Sequence, residues 1–312
     1  MHSLRQGATI LLLLAVAGCA GSPPAVSPGS TRGPASVPPT VVPTTAPQPS
    51  PRPSCGRGRI AGTVVLALPA GRRALFAVPA GDDGHHRLPL VIALPGYGKT
   101  SEDLAAQSRI PARAMAAGML AVLPQAAGLA KSWNLSGTPG NGDVALLSAL
   151  VTQLTATECA DPARVVITGI SDGGDMAVFA ACAMPGRFRA VMTVAASINP
   201  RVACHPIPIV AVHGDADPVD PYRGKPAPPG YAATPPAAAA IAAWAALDGC
   251  RTAVTTRVAP HVAVTTYPCG VQLVTVNGGG HTWPGGAPAN PSLGVTSSEY
   301  DATAKVLAQA DS

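Results

Sequence analysis

From Cys55 onward, short runs rich in Val, Ile and Leu alternate with longer Ala-rich amphipathic stretches, and each change is marked by Gly, Pro or Asp. Short apolar runs bounded by turn residues suit strands buried on both faces. Strands separated by helical stretches favour parallel pairing, because a crossover helix has to carry the chain back. The pattern predicts strands near 60–66, 73–78, 89–94, 119–123, 164–168, 190–195, 207–213 and 271–277. Helices are predicted over 101–117, 142–157, 173–184, 236–248 and 297–309. The expected class is α/β, with a mainly parallel central sheet, helices on both faces and functional loops at the carboxyl ends of the strands. There is no internal repeat, 224–236 reads as a Pro-rich surface loop, and residues 55–312 read as one catalytic domain.

The first 54 residues read differently. His2 and Arg5 precede an apolar run from Ala8 to Ala17, too short to span a bilayer as a mature helix, so 1–18 reads as an export signal peptide. Its end, Val16-Ala17-Gly18-Cys19, resembles the bacterial lipobox, which makes Cys19 the expected lipidation site. The alternative is an ordinary cleaved signal with an incidental Cys. Residues 20–54 contain eleven Pro and no apolar periodicity, so 19–54 is expected to be an acylated Cys followed by a disordered spacer. In polyproline II such a spacer reaches on the order of 100 Å. This explains part of the Gly and Pro excess of the chain, 33 and 35 residues of 312. The expected location is outside the cytoplasm, either lipid-anchored to the membrane and facing outward or extracellular.

The net charge of +5 does not indicate a nucleic-acid partner. Three of the 21 basic residues (Arg5, Arg32, Arg52) precede Cys55 and no acidic one does, so the remainder holds 18 basic against 16 acidic side chains, with no basic cluster. Beyond Cys19 there are six Cys, an even number that in an exported chain suggests three disulfides with 15 possible connectivities. The expected pairs are Cys250–Cys269, which lie in one short stretch around a predicted strand, Cys182–Cys204 and Cys55–Cys159. No Cys-x-x-Cys or His-Glu-x-x-His is present, so no metal or other cofactor is expected.

The chemistry centres on Gly169-Ile170-Ser171-Asp172-Gly173, placed directly after a predicted strand and directly before a predicted helix. That context makes Gly-x-Ser-x-Gly a nucleophile turn, in which a strained Ser projects its hydroxyl and Gly lets strand and helix pass closely. Downstream, the apolar run 207–213 leads to Gly214-Asp215-Ala216-Asp217, and 273–277 leads to Gly278-Gly279-Gly280-His281-Thr282-Trp283. Ser, Asp, His is the chain order of α/β-hydrolases. Ser171 is thus the candidate nucleophile, His281 the base, and Asp215 or Asp217 the acid. Trp283 and Trp133 are candidates to line the substrate site, with packing as their alternative role. Trp244 reads as core, and Asp143 as a helix cap.

Residues from about 60 to 309 resemble the polyhydroxybutyrate depolymerase and feruloyl esterase group of secreted α/β-hydrolases, which includes short actinobacterial lipoproteins. The matching segments are Leu88–Gly96, Asp161-Pro162-Ala163-Arg164, Gly169–Gly174, His213-Gly214-Asp215-Ala216-Asp217 and Gly278–Gly285. The resemblance implies the α/β-hydrolase fold and selects Asp217, the Asp ending His-Gly-x-x-Asp, as the acid. It also implies an oxyanion hole of two backbone N–H groups, from Asp172 and from the loop after strand 89–94, where Tyr97 is the expected donor. The chain departs from the group at Pro95-Gly96, usually His-Gly, and at Asp172, often Asn. Asp172 is expected to cap the following helix or face solvent, with an effect on His281 as the alternative.

Only 46 positions separate Ser171 from Asp217, leaving little room there for a large lid, and no large lid domain is expected. The expected function is a serine esterase hydrolysing carboxylic esters through an acyl-enzyme. Polyhydroxyalkanoate, feruloyl or related acyl esters, some of them polymeric, are the expected substrates, and the protein is expected to be a monomer. The alternatives are a cell-envelope acyltransferase and a non-catalytic binding lipoprotein on a hydrolase scaffold.

Overall fold

The computed structural model of the protein describes residues 61–137, 140–198, 203–227 and 233–312. The expected signal peptide (1–18), Cys19, the spacer (19–54) and Cys55 with its pairing to Cys159 all lie outside the described residues.

Among the described residues, ten strands form one sheet: β1 (Gly62–Ala67), β2 (Arg73–Val78), β3 (Leu88–Leu94), β4 (Leu120–Pro124), β5 (Ala160–Ile170), β6 (Ala190–Val194), β7 (Ile209–Gly214), β8 (Val254–Ala259), β9 (Val262–Thr266) and β10 (Val271–Val276). Their order is β1-β2-β4-β3-β5-β6-β7-β10-β9-β8. The six central strands from β4 to β10 pair in parallel, while β1–β2 and β8–β9 add antiparallel edges. The central strands are the apolar runs of the sequence and are buried on both sides. In β5, Val165 and Ile167 join one hydrophobic cluster while Val166 joins the other.

Among the described residues, six α-helices cover these two faces: α1 (Ser101–Ser108), α2 (Ile110–Ala116), α3 (Gly142–Thr157), α4 (Asp172–Ala183), α5 (Ala237–Leu247) and α6 (Ala302–Asp311). α3, α4 and α5 supply Leu147, Met176 and Trp244 to one cluster. α1, α2 and α6 supply Leu104, Ile110 and Val306 to the other. Among the described residues, no helix is long and apolar enough to cross a membrane.

Three differences from the sequence-based expectation have local causes. The helix expected over 101–117 is two helices, because Arg109 takes a left-handed conformation (φ 57°) and Pro111 opens the next turn. The helix expected from 297 starts at Ala302, where the Asp301 carboxylate accepts the Ala304 N–H as an N-cap. The β8–β9 hairpin was not anticipated: every residue of β8 from Val254 to Val258 is exposed, so the hairpin lacks the apolar alternation that marks a strand.

Disulfides join Cys182 to Cys204 and Cys250 to Cys269. The first ties the end of α4 to the segment before β7. The second ties the segment after α5 to the turn before β10.

Candidate active site

β5 ends at Ile170 and α4 begins at Asp172, so the reversal falls on Ser171 alone, with φ 56° and ψ −129°. A non-glycine residue held there stores about 1–3 kcal/mol of strain and needs outside support. The Ser171 N–H donates to the Val194 carbonyl at 2.9 Å, and the Ser171 carbonyl accepts the Asp175 N–H at 3.0 Å. The neighbouring glycines are there for close approach. A Cβ at Gly173 would overlap the Leu94 carbonyl oxygen, and one at Gly169 would overlap the Gly173 carbonyl.

Asp217 and His281 follow β7 and β10, which are adjacent and parallel, so their C-terminal loops lie side by side. The loops touch where Gly214 meets the Gly279 carbonyl, a contact that leaves no space for a Cβ. His281 is fixed from its backbone, whose N–H donates to the Leu293 carbonyl at 2.7 Å. Its Nδ1 lies 2.8 Å from Asp217 Oδ2. Asp217 Oδ1 accepts the N–H groups of Val219 and Asp220, both at 2.8 Å. Burial pushes the Asp217 carboxyl up, but hydrogen bonds from His213 and His281 outweigh it and hold the group well below the usual carboxylate range. Asp215, the other candidate acid, points elsewhere and accepts the Gly278 N–H at 2.6 Å.

Ser171 and His281 open onto one cleft of about 430 Å³, with Ile170, Val219 and Leu293 among its apolar lining. Gly96 and Tyr97 line it as well, and Tyr97 stands at the rim, 65% exposed. Gly96 packs directly on Ser171: a Cβ built on it would sit 3.3 Å from the Ser171 Cβ. Asp172 is the first residue of α4, where backbone N–H groups lack an intrahelical acceptor. Among the described residues, no group of three or more His, Cys, Asp and Glu side chains is placed to hold a metal ion.

The tryptophans expected at the substrate site are core residues instead. Trp283 is fully buried beneath α6, and its Nε1–H donates to Thr303 Oγ1 at 3.0 Å. Trp133 is 4% exposed, donates from Nε1 to the Pro95 carbonyl at 2.8 Å, and carries the Arg72 guanidinium 5.3 Å from its ring centroid. Both rings have an N–H that needs a partner when buried, and each finds one inside the protein rather than at the cleft.

The Asp172 carboxylate also reaches away from α4. Its Oδ2 accepts the Trp133 N–H at 2.9 Å and the Ser132 hydroxyl at 3.3 Å, clasping the 132–133 loop to the nucleophile turn. Asp143 is not a cap. Asn141 caps α3, while the buried Asp143 pairs with the partly buried Arg72 and accepts the Asn134 N–H at 2.7 Å. One residue beside the site went unassigned in the sequence, although its position announced it. His213 lies near the end of a buried strand, four residues before Asp217, and its Nε2 lies 3.5 Å from Asp217 Oδ2.

Residues 73–221 match the Esterase PHB depolymerase family, a span that includes Ser171 and Asp217 and stops before His281. Over nearly the whole length, the chain is 31% identical to the protein named "Putative esterase NocK" of Nocardia uniformis subsp. tsuyamanensis, covering 93% of this chain and 92% of that one. The chain belongs to the PHB depolymerase esterase family. Like other members of that family it is a carboxylic ester hydrolase. A shorter stretch of 86 residues is 36% identical to "Probable feruloyl esterase C" of Aspergillus oryzae, covering 26% of this chain and 31% of that one. Among solved structures, the acetyl xylan esterase from Aspergillus awamori superposes with a TM-score of 0.56 at 16% identity, covering 71% of this chain and 94% of that one. The fold of this PHB depolymerase-family esterase is the α/β-hydrolase fold.

Proposed function

We propose that the protein is an exported serine esterase in which Ser171 is the nucleophile, His281 the general base and acid, and Asp217 the residue that orients His281. One observation carries this reading: a strained, glycine-flanked serine shares a cleft with a histidine whose Nδ1 is already engaged by a buried carboxylate. With Nδ1–H donated to Asp217, the Nε2 lone pair is the one left to accept a proton. His281 takes the Ser171 hydroxyl proton as Oγ attacks the ester carbonyl. The negative charge on the carbonyl oxygen is received by the backbone N–H groups of Asp172 and Tyr97. Collapse breaks the ester C–O bond, and His281 returns the proton to the departing alkoxide. Water then cleaves the acyl-enzyme by the same steps in reverse roles.

The family's name and the feruloyl esterase relatives favour hydroxyalkanoate, feruloyl or related acyl esters as substrates. The mixed apolar and polar cleft, with Tyr97 exposed at its rim, suits an ester that extends beyond it. Residues 1–18 act as an export signal, Cys19 as the lipid anchor and 19–54 as the tether of the catalytic domain. Two disulfides support an oxidising destination.

A fluorophosphonate probe tests the reading directly. It is expected to label the folded wild-type protein and not Ser171→Ala, while Ser171→Ala also loses turnover of short-chain aryl esters, methyl ferulate and hydroxybutyrate oligomers. Equal labelling of both proteins would overturn the assignment.

A further inference from the structure

The three proposed catalytic groups leave one buried ionisable side chain at the site without a role. His213, the penultimate residue of β7, is 4% exposed and has Nε2 2.8 Å from the Asp220 carbonyl oxygen and 3.5 Å from Asp217 Oδ2. A carbonyl only accepts, so Nε2 carries a hydrogen in every protonation state of this ring. That N–H therefore also faces the one carboxylate oxygen that receives His281. The ring is held in place from its other side. Tyr222 meets it edge to face at 5.7 Å between centroids, and Tyr222 is itself tied to Thr275 of β10 through a 2.8 Å hydroxyl contact.

We propose that His213 is a positioning residue for ester hydrolysis: its Nε2–H, anchored on the Asp220 carbonyl, fixes how Asp217 Oδ2 is presented to His281. The proposal rests on the Ser171, His281 and Asp217 assignment above.

It has a consequence for pH. A second proton, on Nδ1, places a cation beside the carboxylate that stabilises protonated His281, so the two imidazoles compete for one charge. The charged groups facing His213 are Asp217, Asp220, which Lys225 approaches at 3.5 Å, and His281 across the carboxylate. From β10 the facing residue is the uncharged Thr275. Burial pushes the His213 imidazole down, but the hydrogen bonds to Asp217 and Asp220 and their charges bring it above the ordinary histidine value. A proton added to His213 therefore draws on the same Asp217 charge that His281 needs when it takes up the Ser171 proton.

The experiment compares kcat, KM and their pH profiles on an aryl ester for wild type, His213→Gln and His213→Ala, with Ser171→Ala as the control. Gln keeps a donor near the Nε2 position but cannot take a charge. His213→Ala is expected to lower kcat at least about tenfold with KM within about twofold, and His213→Gln to recover most of that loss. His213→Gln is also expected to move the acid limb of kcat/KM to higher pH, because His281 no longer shares Asp217 with a second cation. A wild-type acid limb in His213→Gln, or a loss equal in both variants that only follows their melting temperatures, overturns the proposal. If His213→Ala does not fold, the His213→Gln profile alone decides. Activity that survives in Ser171→Ala would instead overturn the catalytic assignment, so the two failures are distinct.

Discussion

Asp217 is a carboxylate whose lone pairs are met on every side: two backbone N–H groups on Oδ1 and two imidazoles on Oδ2. Its replacement by Asn would present an amide N–H to His281 and favour the wrong tautomer, a change expected to lower kcat on the order of 10³- to 10⁴-fold. Asp215→Asn, which disturbs only the contact with Gly278, is expected to leave kcat within a few-fold of wild type; steady-state kinetics of the pair decide between the two aspartates. Because the folded Asp217 carboxyl lies below its unfolded value, its contribution to stability is present above about pH 4 and is lost only as pH falls through the folded value. At Trp133 the cost is structural. Trp133→Phe keeps an aromatic ring but removes the donor to Pro95, with an expected loss of about 1–3 kcal/mol in urea unfolding and a lower kcat, since Pro95 leads into Gly96 and Tyr97. The sequence made Ser171 and His281 legible because strand, turn and glycine context belong to the chain itself. It did not reveal which way Trp133 and Trp283 point, because nearness to a motif says nothing about which face of a loop turns inward.

At the scale of elements, the six parallel strands were readable because each is an apolar run buried on both faces, the one pattern in which composition alone marks the element. The β8–β9 hairpin was not, because the Thr, Arg and Val side chains of β8 stand in solvent and leave no apolar alternation to read. Helix starts depended on caps that compete with loop contacts. In 297–301, Glu299 is held by His261 and only Asp301 is left to begin α6. Asp301 also receives both Arg113 hydrogen bonds, at 2.6 and 2.8 Å, from α2. Asp301→Ala removes a cap and a half-exposed ion pair together, and is expected to cost about 1–2 kcal/mol, a fall of several degrees in melting temperature measured by circular dichroism. Asp301→Asn, which keeps the cap, should recover the larger part.

Across the whole molecule, the two described disulfides close loops with sequence separations of 22 and 19 residues. In the chain-entropy account each limits the unfolded chain by roughly 3 kcal/mol. Denaturant unfolding with and without prior reduction should therefore differ by several kcal/mol, and variants lacking one bridge should fall between. The architecture has a further consequence for how activity arises. Ser171, Asp217 and His281 hang from β5, β7 and β10, and parallel neighbours of this kind are joined by long crossovers rather than local turns. No hairpin or early helical fragment can bring any two of them together. Loop-closure entropy is spent before the chemistry exists, so folding is governed by distant contacts and is slow. A half-folded chain is therefore silent toward esters however much secondary structure it holds, and regain of turnover reports the pairing that runs from β5 through β6 and β7 to β10.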